Sequence, residues 1–381
     1  MMKNRRVNLL FIVDSLDLGG AEKHAIELLN SLDTTRFRLS LAYLKSEYAL
    51  LPQLLVERLK GGLFCCNVSK KVDMRAVRQL VTHIRDESVD IVVCSNTYPL
   101  LYGWLARIAA GRKTRLVEVF HTTELDTMKS KFQMLFYRPL FRACDMLVYV
   151  CENQKKYWRS KGLSARQDTV IHNGIDIERY ADRYTSEEKN SLRQSFGFGP
   201  DDFMVGLCAL LRPEKAHGDL LQAIASLRAG KLDVKCLFIG DGPERSRLES
   251  TIEAMGLAAH VGITGILADV RGAIAACDVM ALVSHHETFS IAALESMALG
   301  KPMIMSEIGG AAEQVMRGKN GYLYQRGDIN ALAHAVQQSM ESTTRGQMGD
   351  HARATVAQKF SLATMVDAYE RLFVGLADWH A

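Results

Sequence analysis

Two glutamates, Glu287 and Glu295, have the spacing that points most directly to chemistry in this 381-residue sequence. An apolar run at Val279–Val283 predicts a buried strand, and a helical pattern begins near Ser290. Glu287 therefore lies in the loop at the carboxyl end of the strand, and Glu295 lies within the helix. The unpaired backbone N–H groups at a helix start bind anions, and carboxylates accept hydrogen bonds from hydroxyls. Together these features predict a ligand with two polyol parts joined by phosphate, as in a nucleotide-sugar.

Two cations, Arg212 and Lys215, follow the apolar run at 205–210, which predicts the first strand of the second half of the chain. At the carboxyl end of a strand, cations with this spacing can both reach one diphosphate. A solvated cluster of loop charges is the alternative, since Arg and Lys are usually exposed. The position favours a binding site, because this loop and the Glu287 loop would open on the same cleft.

The first half of the chain offers candidates with less specific patterns. Gly19 and Gly20 follow the apolar run at Val7–Val13 and open a helical pattern, so a phosphate could approach the backbone there. A plain structural turn is an equally good interpretation of this pair. His121 ends another apolar run and could donate to a sugar hydroxyl or a phosphate, with a structural hydrogen bond as the alternative.

Composition argues against several classes of function. The net charge of +4 is too small to imply nucleic-acid binding, and the eight cysteines form no CxxC pair. His285 and His286 are adjacent, so on an extended segment they point to opposite faces and make poor joint metal ligands. We therefore expect neither a metal nor another cofactor. No apolar run reaches the length that crosses a bilayer, so any membrane role would be peripheral.

The segment 128–142 combines basic side chains with large apolar ones. Such a segment can lie on an anionic membrane surface. A helix packed into the core, with its basic residues in solvent, is the alternative. The basic residues are Lys129, Lys131, Arg138 and Arg142.

Short apolar runs alternate with longer helical patterns along the whole chain, which predicts α/β architecture with parallel sheets. A weak echo between 144–150 and 277–283 suggests two similar halves. We expect two facing Rossmann-like domains with a cleft between them, at residues 1–175 and 176–360. A terminal helix at 361–381 would pack back toward the first domain. The predicted strands are Val7–Val13, Leu39–Tyr43, Ile91–Cys94, Leu116–Phe120, Leu147–Val150, Val205–Leu210, Lys235–Ile239, Val261–Thr264, Val279–Val283 and Met303–Met305.

Taken together, these motifs resemble the retaining glycosyltransferases of the GT-B fold, family 4, a family that includes bacterial polysaccharide and lipopolysaccharide sugar transferases. The resemblance covers nearly the whole chain. The motifs that carry it, in order, are Gly19-Gly20-Ala21-Glu22, His121, the segment Val170–Asp176, the Arg212/Lys215 loop, Gly240-Asp241-Gly242-Pro243-Glu244, and the pair Glu287 and Glu295.

The resemblance assigns the candidate residues to one donor site. Arg212 and Lys215 would hold the donor diphosphate, and Glu287 would bind hydroxyls of the donor sugar. Glu295 would accept hydrogen bonds from the nucleotide ribose. His121, Gly19 and Gly20 would contact the donor from the opposite domain. Backbone N–H groups near Ser290 and Ile291 would meet the phosphates, and the nucleobase would lie against Thr264 and Gly265.

The activity that the resemblance implies is transfer of a hexosyl group from a nucleoside-diphosphate sugar to an acceptor hydroxyl, with retention of configuration and without a metal. Uridine diphosphate sugars are the family's commonest donors. The alternatives are GDP-mannose as donor, a small soluble acceptor, or a nucleotide-sugar epimerase. The expected acceptor is a glycan or lipid-linked glycan of cell-surface polysaccharide or lipopolysaccharide synthesis. The expected location is the cytoplasm, peripherally on the cytoplasmic face of the inner membrane.

The sequence also departs from the family pattern at three positions. Thr288, Ser290 and Ala216 stand where the family often has glycine. Ser290 could itself cap the helix and donate to a phosphate, so activity is compatible with the change.

Overall fold

The computed structural model describes residues 5–111, 113–123 and 128–378, with the backbone alone for 129–131. The chain forms two compact units. The first ends at Asn173 and includes the C-terminal residues from Leu362, and the second is Gly174–Ser361. The described residues of each unit form a parallel sheet with helices, which confirms the predicted α/β class of two Rossmann-like domains.

The sheet of the first unit has seven strands among the described residues, in the order β3-β2-β1-β4-β5-β6-β7. All neighbouring strands are parallel, with Val7 beside Phe37 and Leu9 beside Ile91. The central strands are buried on both faces, which is why their sequences are almost continuously apolar. The strands are β1 (Val7–Val13), β2 (Phe37–Tyr43), β3 (Gly62–Cys65), β4 (Ile91–Ser95), β5 (Arg115–Phe120), β6 (Met146–Tyr149) and β7 (Asp168–Val170).

The two edge strands, β3 and β7, were not predicted. Both are short and only half-buried, so neither needs the apolar run that marks a central strand. The helices of this part of the chain are α1 (Gly20–Ser31), α2 (Met74–Asp86), α3 (Thr97–Ala110), α4 (Met128–Ala143) and α5 (Glu152–Ser160).

The sheet of the second unit has six strands in the order β10-β9-β8-β11-β12-β13. They are β8 (Phe203–Cys208), β9 (Val234–Ile239), β10 (Val261–Ile263), β11 (Val279–Leu282), β12 (Met303–Ser306) and β13 (Gly321–Tyr324), of which β13 was not predicted. The helices are α6 (Ser186–Ser195), α7 (His217–Ala229), α8 (Arg245–Ala254), α9 (Arg271–Ala276), α10 (Ile291–Ala298), α11 (Ala311–Gln314), α12 (Ile329–Gln338) and α13 (Ser342–Lys359).

The C-terminal helix α14 (Leu362–Asp378) belongs to the first unit. Its buried face carries Tyr369 and Phe373. The Phe373 ring packs edge-on against Phe11 and Phe37, with ring centroids 6.2 and 6.1 Å apart. The predicted terminal helix therefore packs on the first sheet, and residues 379–381 lie outside the described part of the chain.

Glu118, on β5, gives the first unit a testable dependence on pH. Its side chain is fully buried, and neither carboxylate oxygen has a hydrogen-bond partner among the described residues. Burial raises the pKa of Glu118 well above its ordinary value. The folded state therefore binds this proton more tightly than the unfolded chain. The resulting stability is complete below the unfolded pKa and is lost as the pH rises toward the folded pKa.

Glu118→Gln removes this titration. We therefore expect the melting temperature of the variant minus that of the unchanged protein to be higher at pH 8 than at pH 5, by at least about 3 °C. Thermal melts at several pH values measure the difference. Glu57→Gln, at an exposed position of the same unit, is the control and should show no such trend. A difference that is the same at every pH would contradict the assignment.

Candidate active site

Arg212 and Lys215 lie in the loop after β8, on a short 3-10 turn in which the Lys215 N–H donates to the Arg212 carbonyl at 3.0 Å. The Arg212 side chain is exposed and makes no hydrogen bond with the residues that the structure describes. The Lys215 side chain is mostly buried, and its Nζ lies 2.7 Å from Glu287 Oε2. One cation is thus open to a ligand, and the other is held against a carboxylate.

The glycine turn after β9, at residues 240–243, packs against the backbone that leads into this loop. Gly240 has φ +148°, and a Cβ added there would lie 2.2 Å from the Ala209 carbonyl oxygen. In the same turn, the Asp241 carbonyl accepts from the Leu211 N–H at 2.9 Å. The close packing of the two backbones sets the path of the chain into Arg212, which agrees with the architectural role predicted for this motif.

Glu287 lies in the loop between β11 and α10, as predicted. Two contacts join this loop to the loop after β8. The first is the ion pair with Lys215. The second is the hydrogen bond from the His285 N–H to the Glu214 carbonyl at 2.8 Å. The β8 and β11 strands are neighbours in the sheet, so their carboxyl ends bring a cation and a carboxylate to one place.

Gly309, which the sequence analysis did not single out, lies against the backbone of the Glu287 loop. Its φ is +50°, and a Cβ added there would lie 2.2 Å from the Glu287 carbonyl oxygen. The next residue, Gly310, donates its N–H to the Thr288 carbonyl at 2.7 Å. The sequence feature that could have indicated this contact is the glycine pair at 309–310, which is separated from the predicted strand Met303–Met305 by three residues.

Helix α10 begins where predicted, with Ser290 as its cap. The Ser290 hydroxyl accepts from the Ala293 N–H at 3.2 Å, and its carbonyl accepts from the Gln314 side chain at 2.8 Å. The N–H groups of Ile291 and Ala292 have no acceptor among the described residues. A serine at this position therefore organises the helix start and leaves two donors for an anion.

Glu295 is buried in α10, with 4% of its surface exposed. The Tyr180 hydroxyl donates to Glu295 Oε1 at 2.7 Å. Tyr180 is also buried and comes from the segment before α6, which carries no motif that would have predicted this contact.

Thr264 and Gly265 follow β10 and lie beside the glycine turn after β9. The Gly240 N–H donates to the Thr264 hydroxyl at 3.3 Å, and Gly240 forms an isolated antiparallel bridge with Gly265. The next side chain, Ile266, is 69% exposed. An exposed apolar side chain beside this turn is a suitable surface for a flat ring.

In the first unit, the predicted glycines lie at the start of α1, and the predicted histidine follows β5 directly. Gly19 caps α1 and Gly20 begins it, and a Cβ added at Gly20 would meet no atom within 4 Å. His24, in the next turn of α1, packs against His121 with ring centroids 5.0 Å apart. The His121 N–H donates to Asn96 Oδ1 at 2.9 Å. His24 and Asn96 were both missed by the sequence analysis.

Both histidines are neutral near pH 7. Burial lowers the pKa of His24 to about 4. Burial and the neighbouring His24 lower the pKa of His121 well below its ordinary value. The neutral His121 ring therefore has one donor nitrogen and one acceptor nitrogen, and it does not supply a positive charge.

Residues 5–111, 113–123 and 128–378 contain no group of three His, Cys, Asp or Glu side chains that could hold a metal ion. His285 Nε2 lies 2.9 Å from Asp219 Oδ2. The eight cysteines are free thiols, and most of them are buried.

Two family models match successive parts of the chain. "Glycosyltransferase Family 4" matches residues 18–179, and "Glycosyl transferases group 1" matches residues 188–355. These ranges contain every site residue predicted from the sequence and together cover most of the chain.

Among curated proteins, the chain is similar to the N-acetyl-alpha-D-glucosaminyl L-malate synthase of Bacillus anthracis, with 24% identity over 79% of this chain and 78% of the relative. It is 25% identical to the UDP-Gal:alpha-D-GlcNAc-diphosphoundecaprenol alpha-1,3-galactosyltransferase of Escherichia coli, over 82% of each protein.

Among solved structures, the fold matches Anabaena Alr3699/HepE in complex with UDP, with a TM-score of 0.84 and 24% identity over 97% of this chain and 100% of that chain. The family models, the relatives and the two Rossmann-like sheets agree, and the chain belongs to the family 4 glycosyltransferases of the GT-B fold.

Proposed function

We propose that this glycosyltransferase uses a nucleoside-diphosphate sugar and transfers the sugar to an acceptor hydroxyl with retention of configuration. The observation that carries the proposal is the 2.7 Å contact between Lys215 Nζ and Glu287 Oε2. The contact joins a cation that we assign to the diphosphate and a carboxylate that we assign to the sugar hydroxyls. In a nucleotide-sugar, the sugar hydroxyls and the phosphates lie on opposite sides of the bond from the anomeric carbon to the phosphate. The two residues would therefore bind the two sides of that bond.

The main chemical task in this proposal is to stabilise the departing diphosphate. Arg212, Lys215 and the N–H groups at the start of α10 supply positive charge and hydrogen-bond donors. The lysine ammonium has three donors, so it can keep Glu287 as a partner and also reach a phosphate oxygen. No metal ion or other cofactor is assigned a role.

Retention follows if the acceptor attacks from the face that the diphosphate leaves. The bond from the anomeric carbon to the phosphate oxygen breaks, and the bond to the acceptor oxygen forms. The acceptor proton moves to the departing phosphate oxygen. Glu287 is assigned to the sugar hydroxyls and not to the nucleophile, because its carboxylate is already paired with Lys215 Nζ at 2.7 Å.

A UDP-sugar is the proposed donor. The name of the Escherichia coli relative contains UDP-Gal, and the Anabaena structure contains UDP. GDP-mannose is the alternative donor that the sequence analysis left open.

The test is a turnover assay with a panel of UDP-sugars and GDP-mannose, with release of the nucleoside diphosphate as readout. We expect release that depends on an added acceptor and continues in EDTA. NMR of the product should show the anomeric configuration of the donor. A product of inverted configuration, or conversion of the donor alone into another nucleotide-sugar, would contradict the proposal.

The proposed acceptor is a lipid-linked glycan at an anionic membrane surface, as in cell-surface polysaccharide or lipopolysaccharide synthesis. The name of the Escherichia coli relative includes a diphosphoundecaprenol-linked sugar. The name of the Bacillus anthracis relative includes a small acid, L-malate. A lipid-linked acceptor implies peripheral binding to the cytoplasmic face of the membrane. Among the described residues, no helix is both long and apolar enough to span a bilayer.

Helix α4 supports the membrane proposal because it has two apolar faces. One is buried against the first unit and includes Met134, Tyr137, Leu140 and Phe141. The other, here named the α4 outer face, has exposed fractions of 58–68% and consists of Met128, Phe132, Leu135 and Phe136. Exposed apolar side chains with helical spacing, next to the basic residues of the same segment, fit an anionic membrane surface.

Replacing Phe132 and Phe136 together by serine is expected to reduce binding to vesicles with phosphatidylglycerol by about tenfold or more, because each buried ring contributes apolar area. Flotation measures the bound fraction. Ile108→Ser, at a residue of α3 that is 59% exposed, is the matched control. Equal binding by both variants, or binding that does not change with salt or with removal of the anionic lipid, would contradict electrostatic docking through α4.

A further inference from the structure

Tyr180 forms a hydrogen bond with Glu295, a candidate site residue that is distant from it in the sequence. Its hydroxyl donates to Glu295 Oε1 at 2.7 Å, although the two residues are 115 positions apart. Tyr180 is 7% exposed and Glu295 is 4% exposed. A hydrogen bond between a phenol and a carboxylate is strong where water is excluded, so it restrains the carboxylate.

The segment that carries Tyr180 is itself held in place. Asp176 Oδ1 accepts from the N–H groups of Glu178 and Arg179 at 3.0 and 3.1 Å. The Arg179 carbonyl accepts from the Arg271 guanidinium at 2.8 Å. Tyr180 therefore reaches Glu295 from a turn that is fixed on both sides.

A carboxylate has about four acceptor positions on its two oxygens. The Tyr180 hydroxyl uses one of them, on Oε1, and restrains the rotation of the carboxylate that carries the others. The ribose of a nucleotide offers two neighbouring hydroxyls, which require acceptors at a defined position and angle.

We propose that Tyr180 is a positioning residue that orients Glu295 for the ribose hydroxyls of the nucleotide. The inference rests on the proposed function, because it takes the nucleotide ribose as the ligand of Glu295. It adds a residue that acts through Glu295 and does not itself contact the ligand.

The contact to ribose is present in the bound donor and in the transition state alike. Loss of the Tyr180 hydroxyl should therefore raise KM for the donor and leave kcat within about twofold. A purely structural role would instead lower the melting temperature and affect all ligands to the same extent.

The experiment compares two ligands, a nucleoside diphosphate and its 2′,3′-dideoxy form, by calorimetric titration. The base is uracil or guanine, whichever the unchanged protein binds more tightly. We expect Tyr180→Phe to weaken binding of the ribose form by about tenfold and of the dideoxy form by less than about twofold. Tyr184→Phe, in the same segment, is the control and should change neither.

A second variant tests the same role if Tyr180→Phe folds poorly. Asp176→Ala loosens the turn that carries Tyr180, and it should give the same selective loss to a smaller degree. Equal weakening of both ligands, or no weakening, would overturn the role of Tyr180 and leave the proposed function intact. Failure of the unchanged protein to bind any nucleoside diphosphate would overturn both.

Discussion

Replacing Lys215 by alanine is expected to lower kcat/KM for donor turnover by about 10²- to 10³-fold. The Lys215 ammonium group forms an ion pair with Glu287, with Nζ and Oε2 2.7 Å apart. Its removal takes a positive charge from the departing diphosphate and leaves the Glu287 carboxylate without this partner. Both effects raise the energy of a transition state in which negative charge develops on the phosphates.

Initial rates at several donor concentrations measure the loss. Lys235→Ala is the matched control, because Lys235 also forms an ion pair, with Asp233 at 3.1 Å, but lies on β9 outside the candidate site. Lys215→Arg keeps the charge but changes its shape, so it should recover part of the activity. Equal rates for the two alanine variants would remove Lys215 from the mechanism.

The sequence predicted that the two loops that carry this ion pair lie at the same cleft, even though Lys215 and Glu287 are 72 positions apart. The reason is topological. Each residue follows an apolar run, and the carboxyl ends of neighbouring parallel strands meet at one edge of a sheet. A local pattern combined with that rule was enough to place Arg212, Lys215 and Glu287 in adjoining loops.

The contact between Tyr180 and Glu295 could not be predicted in the same way. Tyr180 lies in an irregular segment, and no strand or helix pattern fixes where such a segment packs. The same limit applies to Asn96, whose side chain accepts from the His121 N–H. Its backbone has φ 72° and ψ 170°, a conformation that glycine adopts far more readily than asparagine, and nothing in the sequence marks it.

The edge strands show a related limit. A buried central strand must be apolar on both faces, so β1, β4, β8 and β11 were recognisable from composition alone. β3 and β7 lie at the edges of the first sheet and are half-buried, so their short sequences resemble those of loops. Apolar patterns therefore predicted the central strands, which position the site, better than the edge strands.

Gly309→Ala is expected to lower donor turnover by about 100-fold, through displacement of the Glu287 loop. The added Cβ would lie 2.2 Å from the Glu287 carbonyl oxygen and 2.6 Å from that of Thr288. Both neighbours are backbone atoms, so the overlap cannot be relieved by turning a side chain. The loop must move, and with it the carboxylate that Lys215 holds.

Gly318→Ala separates this displacement from ordinary backbone strain. Gly318 also has a positive φ, +70°, but a Cβ there would meet no atom within 4 Å. Both variants should lose stability through the unfavourable φ, by about 1–2 kcal/mol. Only Gly309→Ala should also lose turnover, with KM for the donor raised and kcat lowered at a temperature where both variants are folded. If the two variants lost activity in proportion to their melting temperatures, the position of the Glu287 loop would not limit the reaction. The chemistry would then depend on Arg212 and Lys215 without the sugar contact assigned to Glu287.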